Sequence, residues 1–347
     1  MEEITIVEIA KKCGVGVSTV SRALNDHADI NPETKKRILK VIEETGYVPN
    51  NSARNLKRTD AKCIGVLVKG ITNSFFSPMI ERIEQQTAKN KYALVIRHVE
   101  AYEDELDVAL MVEKEKRLRG IVFLGGAFRH SAKKLEKLNI PVVFATIGSP
   151  VSEEISKATY STVAVDDRLE SYNMVEKLIE LGHRNIAIIT EGSEELTVGQ
   201  LRLQGYCDAL KNHGIEENDA LIRFVDTGIE HYSPKNGYET TMKLIQDKAK
   251  FSAIFCISDR LAIGAIRALK DSGLSVPEDV SVAGFDGMDI GQYVVPRLTT
   301  VAQPLDLMSK ETMKLLFDII DGERTHQHIT FPATILSGES TKEYSEK

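Results

Sequence analysis

The chain of 347 residues carries 44 Lys+Arg against 51 Asp+Glu, a net charge of −7, with 42% hydrophobic residues, enough for two or three folding units with real cores. That balance excludes a polybasic chain that coats nucleic acid indiscriminately, and no apolar run reaches the roughly 18 residues of a membrane span. Four cysteines without CxxC spacing (Cys13, Cys63, Cys207, Cys256) and an acidic N-terminus with Glu2, Glu3 and Glu8 argue against disulfides, zinc and export, and point to the cytoplasm.

Thr5 reads as the N-cap of a first helix, with Glu8 at capping-box spacing and Ile6, Ile9 and Ala10 on the apolar face. Cys13-Gly14-Val15 breaks it, Gly14 being able to take a positive φ. A second helix runs from Val17 to Asn25, with Val20 and Leu24 inward and Val17, Ser18, Ser21 and Arg22 outward. A third spans Pro32–Gly46, burying Ile38, Val41 and Ile42 and exposing Lys35, Lys36, Arg37 and Lys40. Two short helices across a glycine turn form a helix-turn-helix, whose second helix enters the DNA major groove. Residues 1–60 hold 10 Lys+Arg and 9 Asp+Glu, net +1, leaving −8 for the remainder (34 minus 42). The basic residues cluster at Lys35–Lys40 and Arg54–Arg58, and a dimer would double those clusters, so binding to phosphate should be strongly salt-sensitive. Pro49 closes the unit by removing a donor and biasing Val48 away from helix. The stretch Asn50–Arg58 is too short to be a stable helix alone.

From residue 62 onward apolar strands alternate with helices. Strands are expected at Cys63–Val68, Ala93–Arg97, Gly120–Leu124, Val142–Ala145, Ile186–Thr190, Ala253–Ile257 and Val280–Gly284. Helices are expected at Pro78–Asn90 and near 104–118, 167–181, 199–213, 238–248 and 260–272. Uniformly apolar strands mean parallel sheets covered on both faces, and their number calls for two Rossmann-like halves. Ligands in such sheets bind at the carboxyl ends of the strands, here facing across a cleft. No GxSxG, HExxH or GxxxxGK[ST] pattern occurs, so neither an enzyme nor a cofactor is expected. His326-Gln327-His328 could chelate metal, but reads as solvent-facing.

The string IVEIAKKCGVGVSTVSRALN followed by ETKKRILKVIEETGYVPNNSARNL closely resembles the headpiece of the LacI/GalR family of bacterial transcriptional regulators. The likeness continues through Leu181-Gly182-His183, Ser258-Asp259-Arg260 and Val276-Pro277-Glu278-Asp279 to Gly284-Phe285-Asp286. It implies an α/β fold with an N-terminal helix-turn-helix headpiece (1–47), a hinge (48–60) and a periplasmic-binding-protein-like core (61–341). The core's N-subdomain would take about 61–161 and 293–325, and its C-subdomain about 162–292 and 326–341. Val17, Ser18 and Arg22 would read base edges, while Thr19, Ser21, Asn25 and Tyr47 position the headpiece. Gly16 departs from the family's usual Ser and removes a side-chain cap. In the hinge, with Asn50, the residues Ala53 and Leu56 match those that wedge into the minor groove.

In the cleft, Arg202 matches a guanidinium that grips ligand oxygens, Asp286 a carboxylate that accepts from ligand hydroxyls, and Tyr232 an aromatic against the ligand face. Phe75 and Phe76 occupy the opposite lobe, and Thr146 and Ser258 complete the effector set. Thr146 stands where many sugar-binding members have Asp, Leu124 where some have Asn, and Leu196 and Val198 replace polar residues, so the cleft reads as less polar than a hexose site. The resemblance thus implies a dimeric repressor of a pseudo-palindromic operator, under allosteric control by a sugar-like effector and without a membrane partner. A catabolite regulator driven by a phosphorylated carrier protein is the alternative. Thr341–Lys347 carries no leucine heptad, so a dimer is expected in place of a tetramer. Replacing Leu56 by Ala should weaken operator binding and leave effector binding intact; unchanged affinity by fluorescence anisotropy at matched salt would remove Leu56 from the mechanism.

Overall fold

The Glu8 backbone N–H donates to the Thr5 hydroxyl, and the Glu8 carboxylate accepts from the Thr5 N–H at 2.7 Å, so helix α1 (Ile6–Cys13) starts on a complete capping box. The computed structural model describes residues 4–24, 30–45, 47, 62–70, 73–100, 103–126, 130–148, 155–192 and 197–345. Contacts divide the chain between Ala61 and Lys62. In the smaller unit Gly14, at φ 61° and ψ 33°, closes α1 by donating to the Ala10 and Lys11 carbonyls. Helices α2 (Val17–Leu24) and α3 (Pro32–Thr45) follow. Ile9, Ala10, Cys13, Val20, Ala23 and Ile38 form its core, with Leu24, Val41, Ile42 and Tyr47 packed against them.

The larger unit begins with β1 (Cys63–Lys69), α4 (Ser77–Lys89), β2 (Ala93–Val99), α5 (Glu105–Lys116), β3 (Gly120–Leu124), α6 (Ala132–Leu135), β4 (Val142–Ala145) and β5 (Ser161–Val165). It continues through α7 (Asp167–Glu180), β6 (Ile186–Thr190), α8 (Val198–Asn212), β7 (Ile222–Phe224), α9 (Pro234–Gln246), β8 (Ala253–Cys256), α10 (Asp259–Asp271) and β9 (Ser281–Asp286). It closes with β10 (Thr299–Ala302), α11 (Leu305–Ile320), β11 (His328–Phe331) and β12 (Thr334–Leu336). Two six-stranded sheets result, in the orders β11-β5-β4-β3-β1-β2 and β12-β10-β9-β8-β6-β7. Among the described residues only the β10–β12 pair is antiparallel. Each sheet reverses its winding at one point, between β1 and β3 and between β6 and β8, where such folds open a crevice for ligands.

The apolar strands are buried on both faces. Along β1, Ile64, Val66 and Val68 join one core cluster while Cys63 and Leu67 join the other, with Leu106, Val112 and Phe123. Five strands escape the sequence pattern: β5, β7, β10, β11 and β12. β7 has three residues and no fully buried side chain, and β11 and β12 form short edges whose side chains are largely half-exposed, so neither offers a continuous apolar run. Helix α11, which packs on α4, was likewise not expected from the sequence.

Strand pairing corrects the expected subdomain boundaries. β5 belongs whole to the first sheet, so the first crossing falls after Val165 and not at 161. β10 pairs with β9, so the second crossing lies between Ala302 and Leu305, not at 293. β11 pairs with β5 and β12 with β10, so the third lies between Phe331 and Thr334, not at 326. The backbone ladder sets the lobe to which each strand belongs, and a sequence pattern does not see it. The hinge at 48–60 lies outside the described residues.

Helices α9 and α10 touch through two glycines. A Cβ on Gly264 would lie 2.0 Å from the Pro234 carbonyl oxygen, and one on Gly237 2.1 Å from that of Leu261. Backbone cannot swing aside as a side-chain tip can. Gly264→Ala should therefore cost the core roughly 1–3 kcal/mol by overpacking, read as a lower midpoint in urea unfolding; an unchanged midpoint would contradict this contact.

Candidate functional site

In the smaller unit Val17, Ser18 and Arg22, the residues assigned to base edges, sit on the outer face of α2. Val17 is 41% exposed, and Ser18 and Arg22 are exposed as well, while Thr19 and Ser21 are half-buried. Val20 and Ala23 fill the core beneath them, which fixes the outward face by helical period. The Gly16 carbonyl accepts from the Thr19 and Val20 N–H groups. Tyr47 lies half-buried on the headpiece core, its N–H bonded to the Ile42 carbonyl at 3.2 Å. Asn25, Asn50, Ala53 and Leu56 lie outside the described residues.

In the larger unit the assigned polar residues converge at the carboxyl ends of the second sheet. Arg202, on α8, is 5% exposed. Its Nε donates to Asp167 Oδ1 at 2.9 Å and its Nη2 lies 2.8 Å from the same oxygen. Nη1 donates to the Ile257 carbonyl and stands 3.6 Å from Asp286 Oδ1. The guanidinium also lies over the Phe285 ring, 3.6 Å from its centroid. The donor fork that the resemblance assigns to a ligand is thus largely engaged inside the chain.

Asp286 ends β9 at φ 123°, a region that side chains rarely adopt, and Gln303 Nε2 donates to its Oδ1 at 3.1 Å. Burial lifts the Asp286 carboxyl to about 7 against the pull of Arg202 and the Gln303 bond. Asp167 is likewise raised by burial, with Arg202 opposing. Asp259, which sequence reasoning missed, is wholly buried beside Asp286 and accepts from the Thr300 hydroxyl and the Met288 N–H. Burial and then the Asp286 charge hold it well above the usual carboxylate range.

Tyr232 buries its hydroxyl without a hydrogen bond of ordinary geometry, near the charges of Glu191, Arg202 and Asp286. Burial of Glu191 works to raise its pKa, but His231, Thr197, Tyr232 and the Gly199 N–H together hold it below the usual value. Ser258 is the N-cap of α10, its hydroxyl accepting from the Leu261 N–H at 3.3 Å. The Asp166-Asp167 pair at a helix start was the available signal for Asp167, and the Ser258-Asp259-Arg260 string that for Asp259; nothing in the sequence singles out Glu191 or Gln303.

The first-lobe residues form a second group. The Thr146 hydroxyl accepts from the Gly125 N–H at 3.3 Å, and the Phe76 ring lies 3.0 Å from where a Gly125 Cβ would stand. Phe75 and Phe76 meet edge-on at 5.3 Å and are buried, as is Leu124. Val198 and Leu201, in the first turns of the helix that carries Arg202, pack against the other lobe's core cluster. Leu196 lies outside the described residues. His326 and His328 do not face solvent: they are half-buried, and their Nδ1 atoms bond the Ser161 and Thr162 hydroxyls at 2.9 and 3.0 Å.

A helix-turn-helix unit followed by a two-lobed α/β body with polar groups at its switch points defines a DNA-binding regulator with a ligand-receptor core. Residues 5–50 match the family described as bacterial regulatory proteins, lacI family, and residues 175–341 match a periplasmic binding protein-like domain. The chain is 37% identical to the HTH-type transcriptional regulator MalR of Clostridium butyricum, over 97% of this chain and 99% of that one. It is 30% identical to catabolite control protein A of Priestia megaterium, over 98% and 99%. The solved complex of the transcriptional regulator CelR with cellobiose matches at 27% identity with a TM-score of 0.70, over 97% and 99%. The chain belongs to the LacI family and is a transcriptional regulator.

Arg202→Ala would leave Asp167 and Asp286 buried without a counter-charge, which should cost the core about 3–5 kcal/mol. A buried carboxyl with a raised pKa contributes stability that is full below its unfolded value of about 4 and is lost as pH rises through its folded value. For Asp286 that window ends near its folded pKa of about 7. Thermal melts should therefore show a larger loss for the variant at pH 8 than at pH 5; equal losses would mean that the carboxyls are not held by Arg202.

Proposed function

We propose that this regulator is a cytoplasmic repressor that binds a pseudo-palindromic operator as a homodimer, under the control of a small carbohydrate-derived effector in the interlobe cleft. The observation that carries this reading is the exposed Val17, Ser18 and Arg22 on a second helix whose opposite face is core. One such helix reads one half-site, so a symmetric operator calls for two copies related by a two-fold axis. Among the described residues no helix is long and apolar enough to cross a membrane. Support for a sugar-like effector comes from the cellobiose complex of CelR and from the polar group around Asp286 and Tyr232 at the carboxyl ends of the second sheet. Effector and operator would then be linked, each changing the other's affinity by the same factor.

The alternative, control by a phosphorylated carrier protein, draws support from the likeness to catabolite control protein A and from Arg202 itself, whose donors are largely taken up within the chain. One experiment separates the two. A duplex selected from a random pool should prove symmetric and bind at least about 10³-fold more tightly than random duplex, with affinity falling steeply with salt. A sugar that stabilises the protein and shifts that affinity supports the first reading. Affinity that rises with a phosphocarrier alone supports the second, and no preference for a symmetric site defeats both.

A further inference from the structure

Charge is sorted along the strands of the first sheet. Beyond the carboxyl end of β2 stand Glu100, Glu103, Asp104, Glu105 and Asp107. The amino ends carry the opposite sign. The Lys62 carbonyl accepts from the Ala93 N–H at 2.7 Å, and the Cys63 carbonyl from the Arg119 N–H at 2.8 Å. Lys62, Lys91 and Arg119 thus border the starts of three neighbouring strands, β1, β2 and β3. Lys62 Nζ lies over the Tyr92 ring, 5.5 Å from its centroid. Helices α4 and α5 end at the same edge and add Lys89, then Lys114, Lys116 and Arg117. All seven cations are exposed. The edge also holds Glu113 and Glu115 on α5, and Asp321 and Glu323 after α11, whose Ile320 side chain reaches the start of β3 at Gly120. Bases outnumber these acids.

Cations at a helix C-terminus complement its carbonyl dipoles, which accounts for Lys89, Lys114 and Lys116. Lys62, Lys91 and Arg119 lie outside the helices, and the dipoles do not account for them. We propose that this amino edge is a second contact with duplex DNA, made to phosphate without reading sequence, and that it adds to the headpiece's reading of DNA and rests on it. Two observations favour a duplex over another polyanion. Residues 48–61 join this edge, at Lys62, to the headpiece that carries the helix-turn-helix. A stretch of that length spans at most roughly 50 Å, so DNA held by the headpiece stays tethered to this edge. Tethering raises the effective concentration of phosphate and makes weak contacts count. The second observation is chemical: exposed Lys and Arg replace the counterions condensed on a duplex, and each such contact steepens the salt dependence of binding by about 0.9 in log–log slope. Contacts of this kind position a protein on DNA and carry no sequence information.

The test uses the full-length protein and a quadruple variant, Lys91→Asn, Lys116→Gln, Arg117→Asn and Arg119→Gln. Asn is chosen at positions 91 and 117 because both have positive φ, 61° and 50°. A control variant removes four exposed lysines of the second lobe instead: Lys211→Gln, Lys235→Gln, Lys250→Gln and Lys270→Gln. Affinity is measured across a salt series with the symmetric duplex selected from a random pool and with a random duplex of equal length. The quadruple variant should bind both duplexes about tenfold or more weakly at fixed salt, with a slope shallower by about 2 or more. Its preference for the symmetric duplex should stay that of the wild type, and the control should stay near the wild type throughout. Glu115→Lys, which adds a cation to the edge, should tighten binding to both duplexes and steepen the slope; it keeps the test open if the quadruple variant melts early. A folded quadruple variant with the wild-type slope would overturn the proposal. So would an equal loss in the control, which would mean that net charge alone acts, or a lost preference for the symmetric duplex. A wild type that binds neither duplex would instead defeat the headpiece reading on which the proposal stands.

Discussion

The contact on which the larger unit turns is the buried ion pair between Arg202 and Asp167, extended to Asp286 and by hydrogen bond to Gln303. A guanidinium at 5% exposure has given up almost all of its hydration. It can stay charged only because two carboxylates and the Ile257 carbonyl replace that water. Arg suits this place better than Lys, since a planar fork can serve Asp167 through two nitrogens while its face stacks on Phe285. Burial of the carboxyls opposes their ionisation, and the guanidinium opposes the burial. Burial therefore wins at Asp286, whose carboxyl is raised to about 7 despite the guanidinium beside it.

Such a cluster is an expensive way to hold a fold together, since apolar side chains of equal volume often do as well or better. Its place at the carboxyl edge of the second sheet, with Asp286 held at a positive φ, is the kind of local strain that accumulates at ligand sites. Elsewhere the molecule spends its polar groups on plain fastening. His183, in the Leu-Gly-His signature, is buried and bonds the Ser252 and Ser281 hydroxyls at 2.9 and 3.0 Å, tying together the starts of neighbouring strands. Gly338 serves a close approach of the backbone. A Cβ there would lie 2.4 Å from the Arg297 carbonyl oxygen, so the chain closes over that turn only without a side chain.

Much of this was legible in the sequence because it is local. Thr5 and Glu8 announce a capping box, Gly14 a left-handed stop, and runs such as GIVFL a strand buried on both faces, and each of these features depends on residues a few positions apart. What could not be read depends on distance along the chain. β11 joins the first sheet by pairing with β5, and β10 joins the second by pairing with β9; neither choice leaves a mark in HITF or TTVA. The site divides in the same way. Arg202, Tyr232 and Asp286 stand out as chemistry-bearing residues, but that Asp167 would occupy the guanidinium follows only when α7 packs on α8. Ser258, assigned to ligand contact, also caps a helix, which its place in the sequence did not announce.

The three crossings between the lobes give the ion network its mechanical meaning. The first crossing ends at Asp167, which holds Arg202. The second contains Gln303, bonded to Asp286 by its side chain at 3.1 Å and by its backbone N–H at 3.2 Å. The third contains Ala333, whose N–H donates at 2.9 Å to Glu170, one turn along the helix that Asp167 begins. All three crossings are thus pinned to the second lobe, and two of the pins lead to one guanidinium. Hinges of this kind move by small backbone rotations in a few residues, so a few hydrogen bonds suffice to bias the angle. A ligand that drew on both Arg202 and Asp286 would compete with contacts at two of the three pins. A group of contacts with local geometry at one edge of one sheet would in that way govern the angle between the lobes, through differential affinity for two arrangements and without a longer path of coupled residues.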